Sequence, residues 1–263
     1  MMDLLFVFRG EVQRYFRSSW SRLGESLSWF LYTALVFAAA VAILSGVRGG
    51  ALARQDQLLV LVGWLAWIVA SDCMSELPDA VSDDAQAGTL EQICLTPLPL
   101  WLILALRSLA YLVGVGIRGL VAAVILFFIV APPTAVPSLL AIFLVSLLGA
   151  YGLGFIFAGL TLVFKRVQAL TGLVFSLMIF LTGSLVGLER LGVWYQALKL
   201  VFPLTWGISL MRQVIQGVGL AALWGKGDVA GIILHSLIYL ALGLGVFAWG
   251  YRQARMKGTL GHY

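Results

Sequence analysis

Glu76, Asp79, Asp83, Asp84 and Glu91 fall within one stretch, Ser75–Leu100, that holds no Lys or Arg and closes on Pro97 and Pro99. Carboxylates in such a run serve best as charge partners for basic groups, because the companions that catalysis requires are missing. The chain has no G-x-x-x-x-G-K-[ST] loop for a nucleotide, no H-E-x-x-H and no G-x-S-x-G. Cys73 and Cys94 form no C-x-x-C and no ligand cluster with His235 or His262, so they read as small apolar residues and no metal site is expected. His235 stands alone in an apolar segment with no proton-relay partner, which makes it structural. The acids that a proton- or sodium-coupled carrier needs inside its spans are absent apart from Asp72 at a span edge. No catalytic residue is expected.

The elements around this acidic island are apolar. The chain has 263 residues, of which 61% are hydrophobic and 11% charged, with a mean hydropathy of +1.00. A soluble domain carries about 25% charged residues. The composition gives an all-α polytopic membrane protein in one domain, 1–263, and the polar island must lie outside the bilayer, where water or another protein satisfies it. Residues 3–22 form an amphipathic helix with Leu4, Leu5, Phe8, Val12, Tyr15 and Phe16 on one face and Arg9, Gln13, Arg14 and Arg17 on the other. It is too charged to span and suits the membrane surface. Those charges exclude a cleavable signal peptide.

Spans are expected over about 26–44, 57–72 (continuing toward Leu77 and protruding), 100–130, 137–164, 169–186 and 229–251. Gly88 breaks the acidic stretch. Thr89 caps a short helix with Gln92 three residues on, and that helix ends before Pro97. Arg107 snorkels near the start of the third span. Arg118, deeper, faces protein or water; it lines a cavity, is held in a structural pair, or belongs to a helix that sits higher in the bilayer. Gly187–Asp228 is amphipathic, is broken at Pro203 and reads as a re-entrant helix pair lined by protein.

Six spans put both termini on one side. Arg9, Arg14, Arg17, Arg22, Lys165, Arg166, Arg252, Arg255 and Lys257 share that side, and the excess places it, with the acidic island, in the cytoplasm. The net charge of +5 is thus a topology signal, and no nucleic-acid partner is expected.

Asp83–Leu100, DDAQAGTLEQICLTPLPL, resembles the loop after the second span of type-2 ATP-binding-cassette (ABC) exporter permeases, which carry an acidic-Gly-Thr-Leu-Glu-Gln run followed by Thr/Ser-Pro-Leu. Met178, Leu181, Thr182, Ser184, Leu191, Gly192, Pro203, Leu204 and Arg212 are similar in spacing to that family's C-terminal signature, while Phe175 and Trp206 depart from it. The first motif also resembles haem-exporter-like permeases; the longer C-terminal half favours the drug, lipid or polysaccharide branch. The resemblance implies a permease in a bacterial cytoplasmic membrane that pairs with a second permease, a second copy or a paralogue, around a pathway. It implies a separate ATPase subunit that binds ATP and Mg, so that this chain is no enzyme and binds no cofactor itself. Asp83, Asp84, Gly88, Thr89, Leu90, Glu91, Gln92 and Pro97, with Arg14 and Arg17 beside them, would form the ATPase contact. Arg118, Phe175, Phe180 and Trp206 are candidates for the pathway of an amphipathic substrate such as a drug, a lipid or a lipid-linked glycan; the aromatics serve equally as lipid-facing residues. The other class of reading is a proton-coupled secondary carrier.

Overall fold

The computed structural model describes residues 8–10, 12–13, 23–96, 98–111, 113, 136–164, 168–188 and 191–257. Among them there are helices and turns and no strand. In chain order they are α1 (Leu23–Arg48), α2 (Arg54–Gln86), α3 (Leu90–Cys94), α4 (Leu100–Tyr111), α5 (Val136–Phe164), α6 (Gln168–Leu181), α7 (Val193–Val201), α8 (Pro203–Ile215), α9 (Leu220–Gly225) and α10 (Asp228–Met256). Segments of α1, α2, α5 and α10 are long and apolar enough to cross a membrane. Residues 8–10 and 12–13 of the expected surface helix are helical; the rest of 3–22, including Arg14 and Arg17, lies outside the described residues. So do Pro97, Arg118 and most of the expected third span beyond Tyr111.

The core is built around α2. Its buried face runs from Leu58 through Leu61, Trp64, Ile68, Cys73, Met74, Leu77 and Val81 to Ala85, and α5, α6 and α8 pack on it. The helix is longer than the sequence suggested. It has 33 residues, about 50 Å at 1.5 Å per residue. It continues unbroken through Asp72, Glu76, Pro78, Asp79 and Asp83. The extension holds because its inner face stays apolar after the outer face turns acidic: Leu77 and Val81 are fully buried. Pro78 removes the amide that would bond to the Met74 carbonyl. At that level α5 comes close, with Gly154 placed so that a Cβ would stand 3.0 Å from the Met74 oxygen.

α1 lies antiparallel to α2, tied at both ends. Trp29 Nε1 donates to Asp72 Oδ2 at 3.2 Å near one end, and Arg48 pairs with Asp56 at the other. Otherwise α1 shows lipid-compatible side chains, with Leu27, Leu31, Leu35, Ile43 and Val47 exposed.

α5 and α10 run parallel in the most intimate contact of the fold. Gly152 and Gly159 on α5, and Gly243 and Gly250 on α10, are each two helical turns apart and meet backbone to backbone: a Cβ on Gly159 would sit 2.8 Å from Phe247 Cα, and one on Gly243 or Gly250 would overlap the carbonyl of Gly152 or Gly159. Small residues at such spacing let membrane helices gain packing contacts that lipid cannot offer.

The fifth expected span is shorter than its sequence suggested. α6 stops at Leu181, where Thr182 Oγ1 turns back to Met178 O at 2.7 Å and Gly183 adopts φ +72°. Beyond it, the expected helix pair is unequal. α7 is mostly exposed, with Tyr195 buried and Leu198 and Lys199 half-buried. α8 is buried along most of its length, because Gly207 admits Ser146 of α5 and Gly149 of α5 admits Pro203. A third short helix, α9, was not legible in the sequence.

Candidate functional site

The acidic stretch is a helix end, a tight turn and a separate short helix. α2 ends at Gln86, Gly88 takes φ +69° in the turn, and α3 begins at Leu90. Only glycine holds that conformation without a steric cost of about 1–2 kcal/mol. The turn is pinned by Thr89 N donating to Asp84 O at 2.9 Å and Ala87 N donating to Asp83 O at 2.8 Å. The Thr89 hydroxyl, expected to cap α3, points back instead and donates to Asp84 O at 3.2 Å and Oδ1 at 3.3 Å.

The two neighbouring aspartates have opposite fates. Asp83 is exposed, whereas Asp84 is buried and takes Arg107 Nη1 on its Oδ2 at 2.7 Å. The side chains of this pair are 11% and 15% exposed. Asp84, expected among the partner-contact residues, is thus held by a residue of the chain itself, and Arg107 is paired rather than snorkelling. Spacing carried this signal. Asp84 follows Leu77 and Val81 at helical intervals on the buried face of α2, and Arg107 follows Leu100 and Leu104 on the buried face of α4.

α3 is anchored by Leu90 and, half-buried one turn on, by Ile93. Leu90 is buried against the core, while Gln92, Leu95 and Thr96 are exposed. Glu91 belongs to the α3 backbone. Asp79, Asp83 and Gln86 lie exposed on the adjoining end of α2. The small helix, rooted by Leu90 and Ile93, thus stands beside the acidic end of α2, and no metal-binding cluster occurs among the described residues.

At the far end of the molecule a second polar group closes the fold. Arg212 on α8 is buried; its Nη2 donates to Ser184 O at 3.1 Å and its Nε to Leu59 O at 3.4 Å. Gly63 of α2 leaves room for the Ser184 carbonyl. Tyr195 donates to Ser209 at 2.6 Å, joining α7 to α8. The charge-assisted bonds of Arg212 contribute about 1.5–3 kcal/mol each. Arg212→Leu is expected to lower stability by about that amount, read as a lower thermal midpoint of the detergent-purified protein.

The aromatic candidates do not gather in one place. Phe175 is buried edge-on against Phe157, with ring centroids 5.1 Å apart, whereas Phe180 on the same helix is exposed. Trp206 lies with its ring 5.9 Å from that of His235, and Lys199 Nζ stands 5.1 Å from the Trp206 ring. His235 Nε2 meets Leu200 O at 2.7 Å, joining α10 to α7.

The family model described as "ABC-2 type transporter" matches residues 2–215. That range contains the amphipathic start, α2, the α3 turn and Arg212. No curated protein matches the chain.

Proposed function

Because the chain belongs to the ABC-2 type transporter family, whose membrane domains work with an ATPase partner, we propose that it is the permease subunit of an ATP-driven exporter and that α3 is its coupling helix. The observation that carries this reading is the length of α2. At about 50 Å it exceeds a hydrocarbon core of about 30 Å by roughly a dozen residues. That excess supports an α3 held clear of the bilayer with its acidic flank toward a partner. A separate ATPase binds ATP and Mg and hydrolyses the nucleotide; this chain receives the motion and is itself no enzyme. In this reading the chain has six spans, with 3–22 as the interface helix, 75–100 as the coupling loop and 187–228 as the extracytoplasmic re-entrant region.

Arg252 and Arg255 in the last turns of α10, and Lys257 just after it, lie on the α3 side, which supports cytoplasmic termini in a bacterial inner membrane. Two permeases, most simply two copies, enclose the pathway. Among the described residues the abundant exposed aromatic and aliphatic surface supports an amphipathic cargo: a drug, a lipid or a lipid-linked glycan.

The test is co-expression with the ABC ATPase encoded beside the chain, followed by extraction in mild detergent and assay in lipid. A stable complex is expected, with ATP hydrolysis that falls when Leu90→Asp uproots α3. Permease that purifies without the ATPase, and hydrolysis indifferent to Leu90→Asp, would overturn the reading.

A further inference from the structure

We infer that Asp84 and Arg107 are positioning residues for the power stroke: they lock the turn before α3 onto α4, so that a displacement of α3 is delivered to the start of the following span. This rests on the reading of α3 as the coupling helix. The geometry poses a mechanical problem that the pair answers. α3 has five residues and is joined to α2 through Gly88, whose missing Cβ makes it the softest backbone position in the turn. A push on α3 could be absorbed there without moving any span.

Two sets of bonds converge on Asp84 and stiffen this link. From the turn side, Thr89 donates its amide and its hydroxyl to Asp84. From the span side, Arg107, two helical turns into α4, donates to Asp84 Oδ2 at 2.7 Å. Leu90, Leu100 and Leu104 are buried around the same junction and keep the pair largely dry. An apolar contact alone lets helices slide past one another. A shielded ion pair fixes register, which is the best-attested use of such groups. The pair therefore couples the end of α2, the root of α3 and α4 as one unit.

The experiment uses the chain assembled with its ATPase in lipid nanodiscs. Cys94 is replaced by serine, and nitroxide labels are placed at Leu109 on α4 and Trp249 on α10, both exposed. The label-to-label distance is measured by pulsed electron resonance, without nucleotide and with ATP plus vanadate, on isolated complexes. The unsubstituted pair is expected to shift with nucleotide, and Asp84→Asn and Thr89→Val to lose most of that shift, with Asp84→Glu recovering it. A full shift in Asp84→Asn and Thr89→Val would overturn the inference, as would a loss that Asp84→Glu does not recover. If Asp84→Asn fails to assemble, Thr89→Val, which removes a single hydroxyl, decides alone. No shift in an assembled, unsubstituted complex would also overturn it. Failure to assemble with any ATPase would instead overturn the functional reading on which it rests.

Discussion

Gly243→Val is expected to prevent the chain from accumulating in a folded state, whereas Gly245→Ala two residues away is expected to be tolerated. The two glycines share a helix and a lipid environment and differ in what faces them. A Cβ at Gly243 would enter the space of the Gly152 carbonyl, with the Gly152 Cα and carbonyl carbon close behind. A Cβ at Gly245 meets nothing within 4 Å. Backbone cannot rotate out of the way as a side chain can. Overpacking typically costs about 1–3 kcal/mol, and a clash with backbone belongs at or above the upper end. The α5 and α10 helices would have to separate, taking with them the matching approach of Gly159 and Gly250. Membrane yield and the monodisperse fraction in detergent read the effect. Comparable yields for the two variants would show that the α5–α10 contact does not hold the fold together.

The second large effect belongs to Asp84 and Arg107. Either Asp84→Leu or Arg107→Leu alone leaves a largely buried charge without its counterion, and breaking a buried pair in that way costs about 3–5 kcal/mol. With side chains 11% and 15% exposed, the lower part of that range applies. The double variant Asp84→Leu/Arg107→Leu removes both desolvation penalties together, and apolar pairs often replace buried ion pairs with little loss. It is therefore expected to be more stable than either single variant. Thermal midpoints of the four proteins, set out as a double-mutant cycle, measure the coupling. Additive losses would mean that the two side chains act independently. The stability and the coupling role separate here: the doubly apolar protein should fold yet transmit α3 motion poorly.

The α-helical class and the apolar segments were legible because membrane helices announce themselves by composition, and the four long helices fall where hydropathy places spans. The turn at Gly88 and the start of α3 were legible from one glycine followed by Thr-Leu-Glu-Gln. What was not legible depended on facing. Nothing local says that Asp83 looks outward and Asp84 inward; that follows only when the 77–81–84 stripe is read as a continuing helix, which the acidic content discouraged. The early end of α6 is set by Thr182 and Gly183 in a segment whose hydropathy stays high. The exposed Phe180 and the buried Phe175 likewise differ through helix phase, which composition does not carry. Arg212 was legible as a motif residue, but its bond to Ser184 joins positions 28 apart in sequence and appears only once α8 has folded against α2.

In the proposed assembly the α3 end of the molecule meets the ATPase. The most direct measurement places the photo-crosslinking residue benzoylphenylalanine at Gln92, exposed on α3, and separately at Lys226, exposed before α10 at the opposite end. Each protein is irradiated in membranes that contain the co-expressed ATPase. Crosslinking to the ATPase from Gln92 and none from Lys226 is the predicted result. Crosslinking from Lys226 alone, or from neither position in membranes where the ATPase is bound, would contradict it.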